Sequence, residues 1–140
     1  MNVQIIDDDE SLQSFLTAAA EALGVPEIDL ASSGEIALTH VIRRKYDLIT
    51  LDINMPGASG TEVLPHIRNI CPHSLIAVIS GEAEEVDTSL LDGADVVLGK
   101  PVLLSTFKKL LQLAEAIENL LTEARQLSVV ELKAAKLVQE

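Results

Sequence analysis

Four short apolar runs in this chain each stop at a polar residue of a different kind, and that pattern constrains the fold more than any other feature. Ile5-Ile6 runs into Asp7-Asp8-Asp9, Leu48 to Leu51 into Asp52, Leu75 to Ile79 into Ser80, and Val96 to Leu98 stops near Lys100-Pro101. If the runs are parallel strands of one sheet, their carboxyl ends share an edge, where open α/β sheets place ligand sites. Carboxylates, a hydroxyl and an ammonium then converge in one crevice.

The sequence between the runs has a helical period, so the chain reads as βα repeats around a parallel sheet. The first strand spans about Asn2 to Ile6. Asp9 or Ser11 caps a helix with Leu12, Phe15, Leu16, Ala19 and Leu23 on its apolar face, and Gly24 stops it. A second strand is expected at Glu27 to Ala31, followed by Ser32 and Glu35 as a capping box for a helix carrying Ile36, Ala37, His40 and Val41. The third strand, Asp47 to Leu51, is almost wholly apolar, as a central strand covered on both faces must be. Pro56-Gly57 then turns the chain, and Ser59 with Glu62 starts a helix running to about Cys71. Strand four is expected at Leu75 to Ile79, a short acidic helix at Glu84 to Leu91, the Asp92-Gly93 turn next, and strand five at Asp95 to Leu98. From Leu103 onward, Leu103, Phe107, Leu110, Ala114, Ile117, Leu121 and Ala124 recur at steps of four and three, one stripe of a long helix. Ser128 with Glu131 has the capping-box form again, which predicts a break and a second short helix over Val129 to Val138.

At 140 residues the chain accommodates one domain and a tail. A hydrophobic share of 48% fits a packed core, and only 2% aromatics makes that core aliphatic. The net charge of −12, with no basic stripe beyond Arg43-Arg44-Lys45, argues against nucleic-acid binding. Excess acid suits a divalent cation, although the acidic stretch Glu82, Glu84, Glu85, Asp87, Asp92, Asp95 reads as a solvated face. The single cysteine, Cys71, excludes an internal disulfide and reads as a packing residue. No leader is visible and no apolar run approaches the roughly 20 residues of a membrane span, so a soluble, cytoplasmic protein is expected. His40, His66 and His73 lack ligand spacing and read as structural, and Tyr46 reads as packing.

Adjacent carboxylates repel, and oxygen ligands of this kind suit Mg2+, so Asp7, Asp8 and Asp52 together imply a metal. A carboxylate beside Mg2+ is able to attack phosphorus, because the cation offsets repulsion between two anions. Asp52 is the candidate nucleophile. Lys100 is placed to donate to an oxygen of the transferred group, with Pro101 constraining the backbone that aims it, and Ser80 offers a hydroxyl to a second oxygen.

The chain resembles the receiver domain of two-component response regulators, the chemotaxis-regulator-like family. The resemblance rests on Ile-Ile-Asp-Asp-Asp-Glu-Ser-Leu after strand one, Tyr-Asp-Leu-Ile-Thr-Leu-Asp-Ile-Asn-Met-Pro-Gly-Ala-Ser-Gly around Asp52, Ile-Ser-Gly-Glu at Ser80, Asp-Gly-Ala-Asp before strand five, and Lys-Pro at Lys100. Together the motifs cover residues 2 to about 120. The resemblance implies a single doubly wound five-stranded parallel sheet, flavodoxin-like, in order 2-1-3-4-5, with helices on both faces and an extended C-terminal helical tail. It divides the chain into a receiver domain at 1–122 and a helical extension at 123–140.

By the same resemblance Asp52 is the phosphoacceptor, served by a sensor histidine kinase or a histidine phosphotransfer protein. Asp8 is the direct Mg2+ ligand, Asp7 its water-mediated partner, and Asn54 completes the sphere through its backbone carbonyl. Lys100 and Ser80 grip the phosphoryl oxygens. Asn54 and Glu82 occupy the positions that tune spontaneous dephosphorylation, in a combination resembling stand-alone chemotaxis regulators. Phosphorylation shifts the population toward a conformer with Ser80 and Lys100 drawn inward, which binds a downstream protein target. The strand-five position that carries a relay aromatic in the family holds Val97 here. The tail either continues the last helix as a homodimer or partner seam or folds back on the domain. The alternative reading is a Mg2+-dependent phosphohydrolase with an Asp nucleophile. Such enzymes place a second carboxylate two residues after the first, where this chain has Asn54.

Overall fold

The computed structural model describes residues 1–55, 57, 60–81 and 91–139. The strands are β1 Asn2–Ile6, β2 Glu27–Ala31, β3 Leu48–Asp52, β4 Leu75–Ser80 and β5 Val96–Gly99, all parallel, in the order β2-β1-β3-β4-β5. The helices among the described residues are α1 Glu10–Ala22, α2 Gly34–Arg43, α3 Gly60–Ile70 and α4 Leu104–Gln139. The parallel sheet expected from the apolar runs is therefore present, doubly wound and in the order the resemblance implies, with β3 at its centre. The expected turn at Pro56, the cap at Ser59 and the acidic helix at Glu84 to Leu91 fall largely outside the described residues.

Alternation along β3 explains how one strand serves two cores. Leu48 packs with the α1 and α4 side, among Val3, Ile5, Leu16, Phe107 and Leu110. Ile49 and Leu51 pack with the α2 and α3 side, among Ala37, Val41, Leu64 and Ile67. Both layers are mainly aliphatic, so the central strands have no solvent face, and the polar residues buried in them before their carboxyl ends are Gln4 of β1 and Thr50 of β3.

Helix ends follow local chemistry. Asp9 caps α1, its carboxylate accepting from the Ser11 and Leu12 amides at 2.9 and 3.4 Å. Gly24 follows the helix at φ +83°, a conformation open to glycine at little cost. The α2 cap is displaced by one residue from the expected Ser32. Ser33, in extended geometry, accepts from the Ile36 amide at 3.3 Å, which satisfies a donor the helix itself leaves open.

The break expected at Ser128 is absent, and α4 is one helix of 36 residues, about 54 Å long at the usual rise. The Ser128 hydroxyl donates back to the Ala124 carbonyl at 3.4 Å, within the helix, instead of capping a new one. Arg68 of α3 ties the far end of the sheet: it donates to the carbonyls of Gly93 and Ser74 at 2.7 and 2.9 Å and pairs with Asp95 at 2.5 Å. Gly93, at φ +104°, gives the turn ahead of β5.

Candidate functional site

The register aligns the strand ends: Asp52 lies opposite Ile79, and Ser80 opposite Gly99. Asp7 follows β1 and Lys100 follows β5, so the four polar residues that ended the apolar runs meet along one edge. Asp7 and Asp52 are 1% and 2% exposed, and Asp8 faces solvent beside them. One carboxylate oxygen from each of Asp7, Asp8 and Asp52 lies within 4.8 Å of the others. The Lys100 ammonium stands 3.4 Å from Asp52 Oδ2 and 3.7 Å from Asp7 Oδ2.

Backbone donors hold the two buried carboxylates in place. Asp9 N–H donates to Asp7 Oδ1 at 2.8 Å, and Asn54 N–H donates to Asp52 Oδ1 at 2.9 Å. The Asn54 amide reaches on to the Ser80 hydroxyl at 3.2 Å, linking the loop after β3 to β4. Burial is the main reason the Asp7 carboxyl is pushed up to about 6, opposed by the Asp9 amide and reinforced by the charge on Asp52. Burial alone would lower the Lys100 ammonium, but attraction to Asp7 and Asp52 carries it above its ordinary value.

The donor set fits a divalent cation. Three carboxylates meet one ammonium, which leaves two negative charges uncompensated among the described residues. Asp7 Oδ2 is buried and accepts no hydrogen bond, and the Lys100 ammonium comes no closer than 3.7 Å, so a cation held nearer would offset the cost of burying that oxygen. Hard oxygens and solvent access through Asp8 suit Mg2+ with retained waters.

Two supports had no signal in the sequence reading. A Cβ at Gly60 would come within 2.5 Å of the Asp52 carbonyl oxygen and of Ile53 Cα, so only glycine lets α3 begin against the end of β3. The glycine was visible in the motif; the close approach that requires it was not. Gln13 of α1 donates its side-chain amide to the Asp7 carbonyl, and nothing distinguished it from other polar residues of that helix. The remaining candidates lie elsewhere. His66 and His73 are exposed, His40 sits on α2 with Nδ1 2.9 Å from Gln4 Nε2, and Cys71 and Tyr46 are buried in the α2–α3 core. Val97 is exposed on β5.

Residues 3–115 match the response regulator receiver domain. The chain belongs to that family. Among curated relatives, the KDP operon transcriptional regulatory protein KdpE of Escherichia coli is 34% identical over 102 residues, covering 71% of this chain and 44% of KdpE. Response regulator TrrA of Thermotoga maritima, solved in complex with Mg(2+)-BeF, superposes with TM-score 0.73 at 29% identity, covering 81% of this chain and 99% of TrrA. TrrA in complex with the histidine kinase ThkA superposes with TM-score 0.72 at 29% identity, covering 81% and 98%. The chain spans less than half the length of these curated relatives. It is a receiver domain of a two-component system with the family's parallel five-stranded fold. No helix among the described residues is long and apolar enough to cross a membrane.

Proposed function

We propose that Asp52 accepts a phosphoryl group from a phosphohistidine on a sensor kinase or a phosphotransfer protein. The observation that carries this is a buried carboxylate at the end of the central strand, 3.4 Å from Lys100 and beside Asp7 and Asp8. An Asp52 oxygen attacks phosphorus, the P–N bond to the donor imidazole breaks, and the imidazole nitrogen keeps the electron pair and takes a proton. Lys100 supplies a point charge to one phosphoryl oxygen and Ser80 a hydroxyl donor to another. Asp7, Asp8, Asp52 and the Asn54 carbonyl would hold Mg2+, which when bound offsets repulsion between the carboxylate and the incoming phosphate.

The domain thus catalyses its own phosphorylation and dephosphorylation and turns over no other substrate. A phosphohydrolase would need a general acid near residue 54, and Asn54 carries no titratable proton. The ThkA–TrrA complex supports a histidine kinase as the kind of donor. The output is a protein contact biased by phosphorylation: the covalent phosphate favours the conformer in which Ser80 and Lys100 have moved inward. With Val97 on β5, no aromatic rotamer at that position relays the movement of Ser80 and Lys100. Incubation with acetyl phosphate and Mg2+ should add one acid-stable, base-labile phosphoryl group, read by intact mass. Labelling that persists in Asp52→Asn overturns the assignment.

A further inference from the structure

The second half of α4 has no partner in its own domain. Every described side chain from Thr122 to Val138 is exposed, and Leu120, Leu127, Val130 and Leu137 are 65%, 66%, 60% and 74% exposed. A helix projecting this far with large apolar side chains in water is poorly supported by propensity alone. Six of its exposed apolar residues, Leu113, Ala116, Leu120, Leu127, Val130 and Leu137, occupy positions of one stripe spaced alternately by three and four, while Val129, Leu132 and Val138 are exposed off it. Glu123 and Ala134 occupy the two remaining positions of the same stripe. That repeat averages 3.5 residues, the period of a helix that supercoils around another helix, and differs from the 3.6 of a straight one.

We propose that the stripe pairs with the same stripe of a second copy, antiparallel, about a two-fold axis near Arg125. A two-fold pairing uses one surface on both copies, so a single self-complementary stripe suffices. With that centre Leu113 meets Leu137 of the second copy, Ala116 meets Ala134, Leu120 meets Val130, and Glu123 meets Leu127. Large side chains oppose large ones and the two alanines oppose each other.

Charge sets the direction. From Leu113 to Glu123 the helix carries Glu115, Glu118 and Glu123 and no basic residue. From Ala124 to Val138 it carries Lys133 and Lys136 against Glu131, while Arg125 pairs with Glu118 of its own helix on the face away from the stripe. Antiparallel pairing lays each acidic half along a basic half. Parallel pairing in register would put acid on acid and bring the two Glu123 carboxylates face to face, a repulsive arrangement.

The pairing is tested on the full chain by sedimentation equilibrium, with crosslinking of single-cysteine variants in a Cys71→Ala background. The expected mass is about twice 15.0 kDa at micromolar concentration, weakening with added salt. Leu127→Lys should give the monomer mass with unchanged near-ultraviolet circular dichroism, whereas Leu132→Lys, on the opposite face, should leave the dimer intact. Ala124→Cys, beside the axis, should crosslink with a short bismaleimide. Leu113→Cys should not, because its two copies would stand about 36 Å apart along the helices. A monomer mass for the unaltered chain at all concentrations overturns the proposal, as does a dimer broken by Leu132→Lys but not by Leu127→Lys. Crosslinking at Leu113→Cys with none at Ala124→Cys overturns the antiparallel direction.

Discussion

The carboxyl edge of the sheet and the outer half of α4 are opposites in how they hold polar and apolar groups. At the edge, two carboxylates are almost completely buried and stay there because amides, an ammonium and a cation-shaped deficit face them. Along the outer helix, leucines and valines stand in water with nothing of their own domain against them. Each arrangement is costly in isolation. Each therefore points to something outside the polypeptide, a cation and a phosphoryl group in one case and a second helix in the other. A misplaced group is informative only when its neighbours are ordered around it, as the backbone donors are around Asp7 and the three-and-four spacing is around Leu127.

The contrast can be broken most severely at the site. Lys100→Ala should slow phosphorylation by acetyl phosphate by about 100-fold or more, the scale of losing one preorganised charge at a transition state. Labelling at the parent rate would show that Lys100 neutralises the buried acids and does nothing more. The two halves of α4 provide the next test. Phe107→Ala, in the packed half, should cost about 3–5 kcal/mol of unfolding free energy by urea titration, whereas Leu132→Ala, exposed on the far half, should stay within about 0.5 kcal/mol. Equal costs would mean that the outer half is packed in solution through a face other than the stripe.

Within the site, Asp8→Ala should weaken Mg2+ binding far more than Asp9→Ala, measured by calorimetry. Asp9→Ala should instead cost about 1 kcal/mol of stability, because its carboxylate caps α1. Equal losses of affinity would mean the ligands are misassigned. The smallest effect is a pH dependence. The Asp7 carboxyl is held at about 6 in the folded, metal-free protein against 3.8 unfolded, so the folded state binds the extra proton between those values. Stability of the metal-free protein should therefore decline as pH rises from about 4 to about 6 and level off above. Mg2+ competes with that proton, so the rise in Tm on adding Mg2+ should be larger at pH 7.5 than at pH 5. A rise that is the same at both would remove Asp7 from the metal site.

Much of this was legible in the chain because it depends on residue type at spacings that topology converts directly into position. Apolar runs of strand length ending in Asp7, Asp52, Ser80 and near Lys100 place those groups on one edge once the strands are parallel. Gly24 and Gly93 mark turns because positive φ is cheap for glycine. Competing local signals were not resolved in the same way. Ser32 and Ser33 are both good caps, and the choice fell to the one whose extended backbone aims its oxygen at Ile36. Ser128 has a capping-box pattern, but a hydroxyl is equally able to bond back to Ala124 within an unbroken helix.

The sequence by itself determined the strand set and the identity of the polar groups at the strand ends, since periodicity and residue chemistry act locally; the strand order came only with the family resemblance. Only the tertiary structure decided what those groups feel. The burial that lifts the Asp7 carboxyl, the 2.5 Å approach that admits only glycine at residue 60, the Gln13 tether and the outer half of α4 all depend on distances between elements remote in the chain. Desolvation and close contact are properties of the packed state, and no single stretch of sequence contains them.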